Sequence, residues 1–398
     1  MTKEEKYIKK RLFKAFLQSL LFYFFRLIPI NKRKIVFTCI EGTTGYTCNP
    51  KYIAEELIRQ RKNYILVWLV NDLTKKFPPE IMVKKNNLWN RAYQLSTAHI
   101  WIDNSRKQLE VRKRKGQVYI QTWHAKIGFK PTCLDRGASF TKIAYLVSKH
   151  DSDMIDYWLS NSDWYDKTLK TGSLYTGTAF RSGSPRCDIL INDIDSQRKK
   201  VREFFNIALD SHILMYAPTF RGGNENTNRT VEVGNHFPDY QLLKKSLEAR
   251  FGGTWYILLR LHPQIMARKL AYGVDNKAII DASKVDDMYE ILAGCDAFIT
   301  DYSSAAFDAA VMRIPIFLYA DDYSAYERER GSLLWNLREL PFPLAETDDE
   351  LKEQILNFDD KKYQEKLKDM FEKTGMKEDG RASKRVVDLI EETINEYK

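Results

Sequence analysis

The amino-acid sequence predicts a protein of two α/β domains, each built on a mostly parallel β-sheet. Short apolar runs alternate with segments of helical periodicity along most of the chain, which is the pattern of repeated βα units. A polar segment containing Gly, Ser and Pro, from Arg181 to Ser196, interrupts this alternation, and a second series begins after it. A length of 398 residues also fits two to three domains at about 150 residues each. We therefore expect two Rossmann-like halves.

The composition favours a folded protein with anionic partners. Hydrophobic residues make up 44% of the chain and aromatic residues 13%, which excludes an intrinsically disordered protein. The 63 Lys and Arg residues exceed the 53 Asp and Glu residues, and the net charge of +10 favours phosphorylated substrates, acidic lipid surfaces or nucleic acid. The five cysteines form no CxxC pair, which argues against a disulfide framework or a zinc site and favours a reducing cytoplasm.

Residues 1–30 predict a basic amphipathic helix that ends at Pro29. The helix could lie in the headgroup region of a membrane or pack on the protein's own surface, and both interpretations stay open. No signal peptide is expected, and the longest uninterrupted apolar run, Leu20 to Phe25, is too short to span a bilayer. The basic and apolar positions at helical spacing are Lys3, Lys6, Lys9, Lys10, Arg11 and Lys14, and Leu12, Phe13, Phe16, Leu17, Leu20, Leu21, Phe24, Leu27 and Ile28.

Residues 31–190 and 191–398 are the two predicted domains. The strands predicted in the first are Lys34–Cys39, Tyr64–Val70, His99–Asp103, Val118–Thr122 and Ala144–Ser148, with helices at Lys51–Arg61, Leu88–Ser96 and Asp151–Leu159. The strands predicted in the second are Ile213–Ala217, Trp255–Leu261, Ala278–Asp281, Ala297–Thr300 and Ile314–Tyr319. The sequence contains no GxGxxG or Walker A motif, which disfavours dinucleotide binding.

Two histidines follow predicted strands, at the positions where open α/β sheets bind ligands. His124 ends the segment Gln121-Thr122-Trp123-His124, and His262 follows the strand that reaches Leu261. A histidine there could accept a proton from a substrate hydroxyl group, although an isolated histidine is more often structural. The occurrence of one such histidine in each half weakens the structural interpretation.

The segment Thr300–Asp308 runs from a predicted strand through a polar turn into a helix. Ser303 or Ser304 suits the N-cap, and the free N–H groups of a first helical turn can bind phosphate, although a well-capped helix without a ligand is an equal possibility. Two further strand- or helix-end residues, Arg221 and Arg330, offer guanidinium groups that can clamp phosphate oxygens.

The basic run Arg106–Lys115 contains six Lys or Arg residues, and we expect it to be a solvated turn between strands. Contact with a membrane or a polyanion is the alternative. No aromatic residues interleave the run, so nucleic acid is not an expected partner. The pairs Asp286–Asp287 and Asp321–Asp322 are assigned no metal, because neighbours in sequence usually point apart.

Six motifs together, in this order, resemble those of the CDP-glycerol glycerophosphotransferase family, the teichoic acid primases and polymerases. They are QTWH (Gln121–His124), GSPRCD (Gly183–Asp188), YAPTFR (Tyr216–Arg221), RLHP (Arg260–Pro263), TDYSSAAFD (Thr300–Asp308) and YERERG (Tyr326–Gly331). The resemblance covers about residues 30 to 395. It implies a GT-B-type architecture of two Rossmann-like domains facing across a cleft, with CDP-glycerol in the C-terminal domain.

The resemblance also implies an acceptor, a location and site residues. The acceptor would be an undecaprenyl-diphosphate-linked saccharide, and the protein would lie peripherally on the anionic cytoplasmic face of the cell membrane, with no cofactor assigned. His124 matches a general base and His262 a histidine that meets the donor phosphates. Ser303 and Ser304 match a phosphate-binding helix start. The other positions implied are Arg221, Asp301, Asp308 and Arg330 on the donor side, and Lys126 and Lys130 on the acceptor side.

One departure and two alternative functions qualify these expectations. Ala125 stands where family members commonly have glycine after the Trp-His pair, and its methyl group could narrow a loop that backbone usually approaches closely. This puts the identity of the acceptor in question more than the chemistry. The alternatives are transfer of ribitol phosphate or another polyol phosphate from a CDP-activated donor, and a non-enzymatic membrane-bound scaffold.

Overall fold

A computed structural model describes residues 1–219, 237–261, 278–330 and 332–396, with only the backbone described at residues 327, 329 and 330. The chain divides into two compact units. The first comprises residues 1–126, 132–188 and 377–398, and the second comprises residues 127–131 and 189–376. The expected boundary near residue 190 therefore lies beside the division after Asp188. The C-terminal residues, expected in the second domain, belong to the first unit, because their helix packs on the first sheet.

Each unit contains a parallel sheet in the described residues. The strands of the first are β1 (Asn31–Thr38), β2 (Ile65–Val70), β3 (Ile81–Lys85), β4 (Ala98–Asp103), β5 (Val118–Gln121), β6 (Tyr157–Leu159) and β7 (Ala179–Phe180), in the order β3-β2-β1-β4-β5-β6-β7. Those of the second are β8 (His212–Tyr216), β9 (Trp255–Leu259), β10 (Ile279–Asp281), β11 (Ala297–Thr300), β12 (Ile316–Tyr319) and β13 (Leu344–Ala345), in the order β10-β9-β8-β11-β12-β13.

Helices connect these strands or flank them. In chain order the described helices are α1 (Lys3–Phe24), α2 (Cys48–Arg59), α3 (Leu88–Thr97), α4 (Lys142–Ser152), α5 (Asp163–Gly172), α6 (Ile194–Phe204), α7 (Tyr240–Phe251), α8 (Met288–Leu292), α9 (Ala305–Ala309), α10 (Tyr323–Arg330), α11 (Asp348–Leu356), α12 (Asp360–Thr374) and α13 (Ala382–Glu396). The two α/β sheets confirm the predicted fold class.

The order of strands reverses at one place in each sheet. β1 lies beside β4 in the first sheet, and β8 lies beside β11 in the second. In parallel α/β sheets the loops at the carboxyl ends of such a strand pair form the usual ligand-binding crevice. The loops after β1 and β4, and those after β8 and β11, are therefore where each unit is expected to carry its functional groups.

The core of the first unit forms on both faces of its sheet, because successive strand residues point to opposite sides. Ile35 and Phe37 lie in the cluster that includes residues of α2 and α13. Val36, between them, lies in the cluster that includes Phe22 of α1 and Leu95 of α3. The first and last helices of the chain thus cover opposite faces of one sheet.

Helix α1 begins at a capping box and buries only one of its faces. The Thr2 hydroxyl accepts a hydrogen bond from the Glu5 amide, and the Glu5 carboxylate accepts one from the Thr2 amide. Ile8, Ala15 and Phe22 are buried. The other face is exposed and also largely apolar, with Leu12, Phe13, Phe16, Leu17, Leu20 and Phe24. Among the described residues, no helix has the length and apolar character that crossing a membrane requires.

Three sequence predictions about secondary structure and burial are wrong. Ala144–Ser148 belongs to α4 rather than to a strand, because Thr141 caps a helix there by accepting a bond from the Ala144 amide at 3.3 Å. Asp151–Leu159 contains the end of α4 and then β6, which pairs with β5 and β7. The run Arg106–Lys115 is mostly buried or half-buried rather than solvated, since its cations bond to carboxylates and backbone carbonyls.

Candidate active site

His124 lies in the loop after β5, with one of its ring nitrogens bonded to the backbone. Its Nδ1 is 2.8 Å from the carbonyl oxygen of Asn104, in the loop after the neighbouring strand β4. A carbonyl oxygen can only accept a hydrogen bond, so Nδ1 carries the proton in the neutral ring. Nε2 therefore carries the lone pair, as a general base requires.

The surroundings of His124 keep its imidazole neutral at pH 7. Desolvation by the protein packed around the ring lowers its pKa to about 4, and the charges of Arg186, Arg106 and Lys126 act in the same direction. The residue is nevertheless exposed to solvent, which argues for a smaller shift than full burial would produce. Both considerations leave the pKa below its ordinary value of 6.5, so the unprotonated form predominates at neutral pH.

Asn104 connects the loops after β1 and β4, and sequence reasoning missed it. Its side-chain oxygen accepts from the Ile40 amide at 2.7 Å, and its side-chain nitrogen donates to Cys39 Sγ at 3.1 Å. Asp103 Oδ1 accepts from the Asn104 and Ser105 amides at 2.7 and 2.9 Å. A signal was present, because Asp103-Asn104-Ser105 is a polar triplet directly after a predicted strand.

Trp123 supports the His124 ring from the preceding position. The centroids of the two rings are 4.6 Å apart, with planes inclined by 31°. The Arg106 guanidinium lies 4.9 Å from the centre of the indole ring, within the range of a cation–π contact. Arg106, from the basic run, thus contributes to the surroundings of His124.

The two lysines expected on the acceptor side belong to different units. Lys126 is buried in the first unit, and its ammonium donates to the carbonyl oxygens of Thr122, at 2.6 Å, and of Leu159. These contacts are those of a residue that holds the loop. Lys130 is exposed in the second unit, with its Nζ 5.6 Å from the centre of the Tyr326 ring.

Within the second unit, Asp301 ties together the loops after β8 and β11. Its carboxylate oxygens accept from the Thr219 amide at 2.9 and 3.0 Å, and Oδ1 also accepts from the Tyr302 amide at 2.6 Å. The Thr300 hydroxyl donates to the Ala217 carbonyl at 2.7 Å. Asp301 is buried, and its described hydrogen bonds go to backbone amides, so they fix the backbone of the loops after β8 and β11.

Ser303 and Ser304 lie half-buried at the start of α9, a helix of five residues. Ser303 Oγ accepts from the Ala305 amide at 3.3 Å, whereas Ser304 makes no side-chain capping bond. Gly128 lies in the short segment 127–131 that belongs to the second unit. A Cβ atom added at Gly128 would lie 3.5 Å from the Ser304 Cβ, which is an ordinary van der Waals distance. Asp308 is buried and accepts from the Tyr289 hydroxyl, so it too has a structural contact.

The remaining expected donor-side residues are not described by the structure in full. Arg221 and His262 lie outside the described residues. Arg330 is the last residue of α10, and its side chain is likewise outside them. Within the described part of the chain, no group of three or more His, Cys, Asp or Glu side chains is arranged to hold a metal ion. The roles of the expected site residues stay predictions.

A family model and curated relatives match this chain over most of its length. The model described as CDP-Glycerol:Poly(glycerophosphate) glycerophosphotransferase matches residues 20–392. A teichoic acid poly(glycerol phosphate) polymerase of Staphylococcus epidermidis is 28% identical over 386 residues, covering 92% of this chain and 52% of that protein. A teichoic acid glycerol-phosphate transferase of Staphylococcus aureus is 27% identical, covering 90% and 93%. The chain thus spans about half the length of the polymerase.

Solved structures show the same architecture. A variant of the wall teichoic acid polymerase TagF, described as soaked with CDPG, superposes with a TM-score of 0.81 at 26% identity, covering all of both chains. This similarity supports the GT-B-type fold that the six motifs imply.

Proposed function

The chain belongs to the CDP-glycerol:poly(glycerophosphate) glycerophosphotransferase family, and from this membership we propose that it transfers glycerol phosphate from CDP-glycerol to an acceptor hydroxyl group. The acceptor is an undecaprenyl-diphosphate-linked saccharide of teichoic acid or a related cell-surface polymer, and CMP is the second product. The soak of the similar TagF with CDPG supports the choice of donor. The observation that carries the proposal is the bond from His124 Nδ1 to the Asn104 carbonyl, which leaves Nε2 able to accept a proton.

The proposed reaction is a direct phosphoryl-group transfer. His124 Nε2 takes the proton of the acceptor hydroxyl group as its oxygen attacks the β-phosphorus of CDP-glycerol in line. A new oxygen–phosphorus bond forms, the bond from the β-phosphorus to the bridging oxygen breaks, and CMP leaves with that oxygen. Because His124 is neutral at pH 7, it is in the state needed for proton abstraction.

Negative charge develops on the phosphate of the leaving CMP as the bond to the β-phosphorus breaks. We assign its stabilisation to His262, Arg221 and Arg330, together with the hydroxyl groups of Ser303 and Ser304. Cations and preorganised donors usually supply the largest part of catalysis in such transfers. We assign Asp301 and Asp308 indirect roles, because the described bonds of Asp301 join two loops and that of Asp308 joins helices α9 and α8.

The decisive experiment is product analysis with a His124 variant. Wild-type protein, CDP-glycerol and a short lipid-linked disaccharide should give a product heavier by one or more glycerol phosphate units in mass spectrometry, together with CMP. His124→Ala should lower turnover by about 10²-fold or more while CDP-glycerol still binds. The matched control is His150→Gln in the same unit, whose Nε2 donates to the Val111 carbonyl oxygen at 2.9 Å and lies 3.4 Å from Arg112 Nη1. Near-normal turnover of His124→Ala would remove this residue from the base role.

A panel of donors tests the substrate. CMP release should be fastest with CDP-glycerol and slower with CDP-ribitol or a nucleotide sugar, and His262→Ala should weaken donor use. A preference for CDP-ribitol would replace the donor but keep the chemistry. Failure to bind any cytidine nucleotide would favour a scaffold without enzymatic activity.

We further propose that the exposed face of α1 binds the cytoplasmic face of the membrane. Phe13, Phe16 and Leu17 are 63%, 57% and 49% exposed, and the lysines of the first turns are exposed as well. Apolar side chains of this kind enter the headgroup region while lysines attract anionic lipids. Ile8 and Phe22 hold the opposite face to the protein.

Vesicle sedimentation tests this surface. Full-length protein should sediment with vesicles containing phosphatidylglycerol, and a Phe13→Ser, Phe16→Ser double variant should stay in the supernatant. Leu73→Ser is the matched control, because Leu73 is 56% exposed and lies outside α1. Equal sedimentation of all three proteins would contradict the proposal.

A further inference from the structure

The backbone that carries His124 has an unusual conformation. Trp123, directly before it, has a φ of 50°, in the left-handed region that residues with a Cβ rarely adopt. Such a conformation persists only where the surrounding structure holds it, and it occurs preferentially at functional sites.

Asn49, at the start of α2, holds the carbonyl of Trp123. Its Nδ2 donates to the Trp123 carbonyl oxygen at 2.7 Å, and it is almost completely buried. Its Oδ1 accepts from the backbone amide of Arg186 at 3.0 Å. One side-chain amide therefore links the loop after β5 to the loop that carries the GSPRCD motif.

Arg186 holds the next carbonyl, that of His124 itself. Its Nη1 donates to this oxygen at 2.6 Å and lies 3.4 Å from Cys48 Sγ, and the residue is 5% exposed. Asn49 and Arg186 thus hold the two consecutive peptide groups on either side of the His124 Cα. Because the ring is attached to that Cα, its direction depends on both bonds.

The loop that carries Arg186 is held in turn by the C-terminal part of the chain. The Glu378 carboxylate accepts from the Ser184 amide at 2.9 and 3.1 Å. Asp188 accepts from the Ala382 and Ser383 amides, in the first turn of α13, at 2.9 and 2.7 Å. The carboxylate of Asp188 lies at the positive end of that helix, where negative charge is favoured.

We propose that Asn49 and Arg186 are positioning residues that hold the Trp123–His124 backbone so that His124 Nε2 is directed at the acceptor hydroxyl group. The proposal rests on the proposed function of His124 as the base. Neither residue needs to touch a substrate, because both act through the two carbonyl groups they bind. A base displaced by about 1 Å loses about 10²-fold in rate, which sets the scale of the expected effect.

Steady-state kinetics of Arg186→Gln and Asn49→Ala test the proposal on the full-length protein. We expect kcat to fall about 10- to 100-fold, with KM for CDP-glycerol changing less than about twofold, since the donor is bound elsewhere. Arg186→Lys, which keeps a donor and a charge, should recover part of kcat. The matched control is Arg59→Gln on the same helix as Asn49, because Arg59 is 69% exposed and pairs only with Glu56 among its described contacts.

A double-mutant cycle distinguishes positioning from a general effect on folding. If Arg186 acts through His124, then Arg186→Gln should cost nothing further in the His124→Ala background. Multiplicative losses, or a raised KM with unchanged kcat, would overturn the proposal. If Arg186→Gln does not fold, the same cycle with Asn49→Ala decides. Failure of the proposed function itself looks different, because His124→Ala alone would then be near normal.

Discussion

The loops at the carboxyl ends of the two sheets are both held by buried polar side chains, but they fix different groups. In the first unit, the Asn104 carbonyl bonds to the His124 ring, Arg186 donates to the His124 carbonyl, and Asn49 donates to the carbonyl of the preceding residue, Trp123. In the second unit, Asp301 bonds to the amides of Thr219 and Tyr302 and leaves Ser303 and Ser304 half-buried. One set of loops directs a side chain, whereas the other fixes a backbone shape. This difference is the one expected if the proposed roles hold, with a base in the first unit and an anion-binding turn in the second.

The largest expected effect comes from Asp301, which should matter chiefly for the stability of the second unit. Asp301→Ala leaves the backbone amides of Thr219, which is half-buried, and Tyr302, which is buried, without their carboxylate acceptor, and we expect it to lower the free energy of unfolding by about 2 to 4 kcal/mol. Denaturant unfolding, with hydrogen exchange at residues 212–219, measures this. Unchanged protection in that strand would mean that the two loops do not depend on Asp301.

Asp188 is the matching carboxylate of the first unit, and its loss should cost less. Asp188→Ala removes the acceptor of two amides at the start of α13, but burial raises the pKa of Asp188, so part of its stabilising effect is already offset. We expect about 1 to 2 kcal/mol in denaturant unfolding. Because the loop carries Arg186, kcat should fall as well. A loss of stability larger than that of Asp301→Ala would reverse the comparison.

The pH dependence of kcat/KM sharpens the contrast at His124. Desolvation and the neighbouring cations lower the pKa of this imidazole, so the acidic limb of kcat/KM should lie below pH 6.5. The facing cations are Arg186, Arg106 and Lys126, and Arg186→Gln should move the limb upward. Between the folded and unfolded pKa values the unfolded state binds more protons, so stability also falls as pH drops below 6.5. An acidic limb at pH 6.5 would contradict the lowered pKa expected for His124.

The smallest expected effects come from the two serines of the second unit. Ser303→Ala removes the acceptor of the Ala305 amide and should cost about 1 kcal/mol of stability. Ser304→Ala removes no described capping bond and should leave thermal unfolding unchanged. If both hydroxyl groups meet the donor, each variant should raise KM for CDP-glycerol severalfold. Equal donor kinetics in both variants and wild type would leave the turn without a role in binding.

Local patterns were sufficient to place His124 after a strand but not to identify the residues that hold it. His124 was predicted because it follows a strand, and the structure places it at a strand end. The roles of Asn49 and Arg186 were not predicted, because their bonds join distant parts of the sequence. Asn49 bonds to Trp123 across 74 positions, and Arg186 bonds to His124 across 62. Lys126 was expected to face an acceptor, but a lysine beside a loop can equally bond to backbone carbonyls, and here it does.

By itself the sequence determined the alternation of strands and helices and the residues that follow each strand, because hydrophobic periodicity is a local property of the chain. Only the tertiary structure decided which carbonyl the His124 ring meets, which side chains hold its backbone, and that α13 returns to the first sheet. These depend on contacts between residues 203 positions apart in one case, the bond from Arg385 of α13 to the Ser182 carbonyl. No local pattern specifies such pairs, since burial and hydrogen bonding select them only when the whole chain has folded.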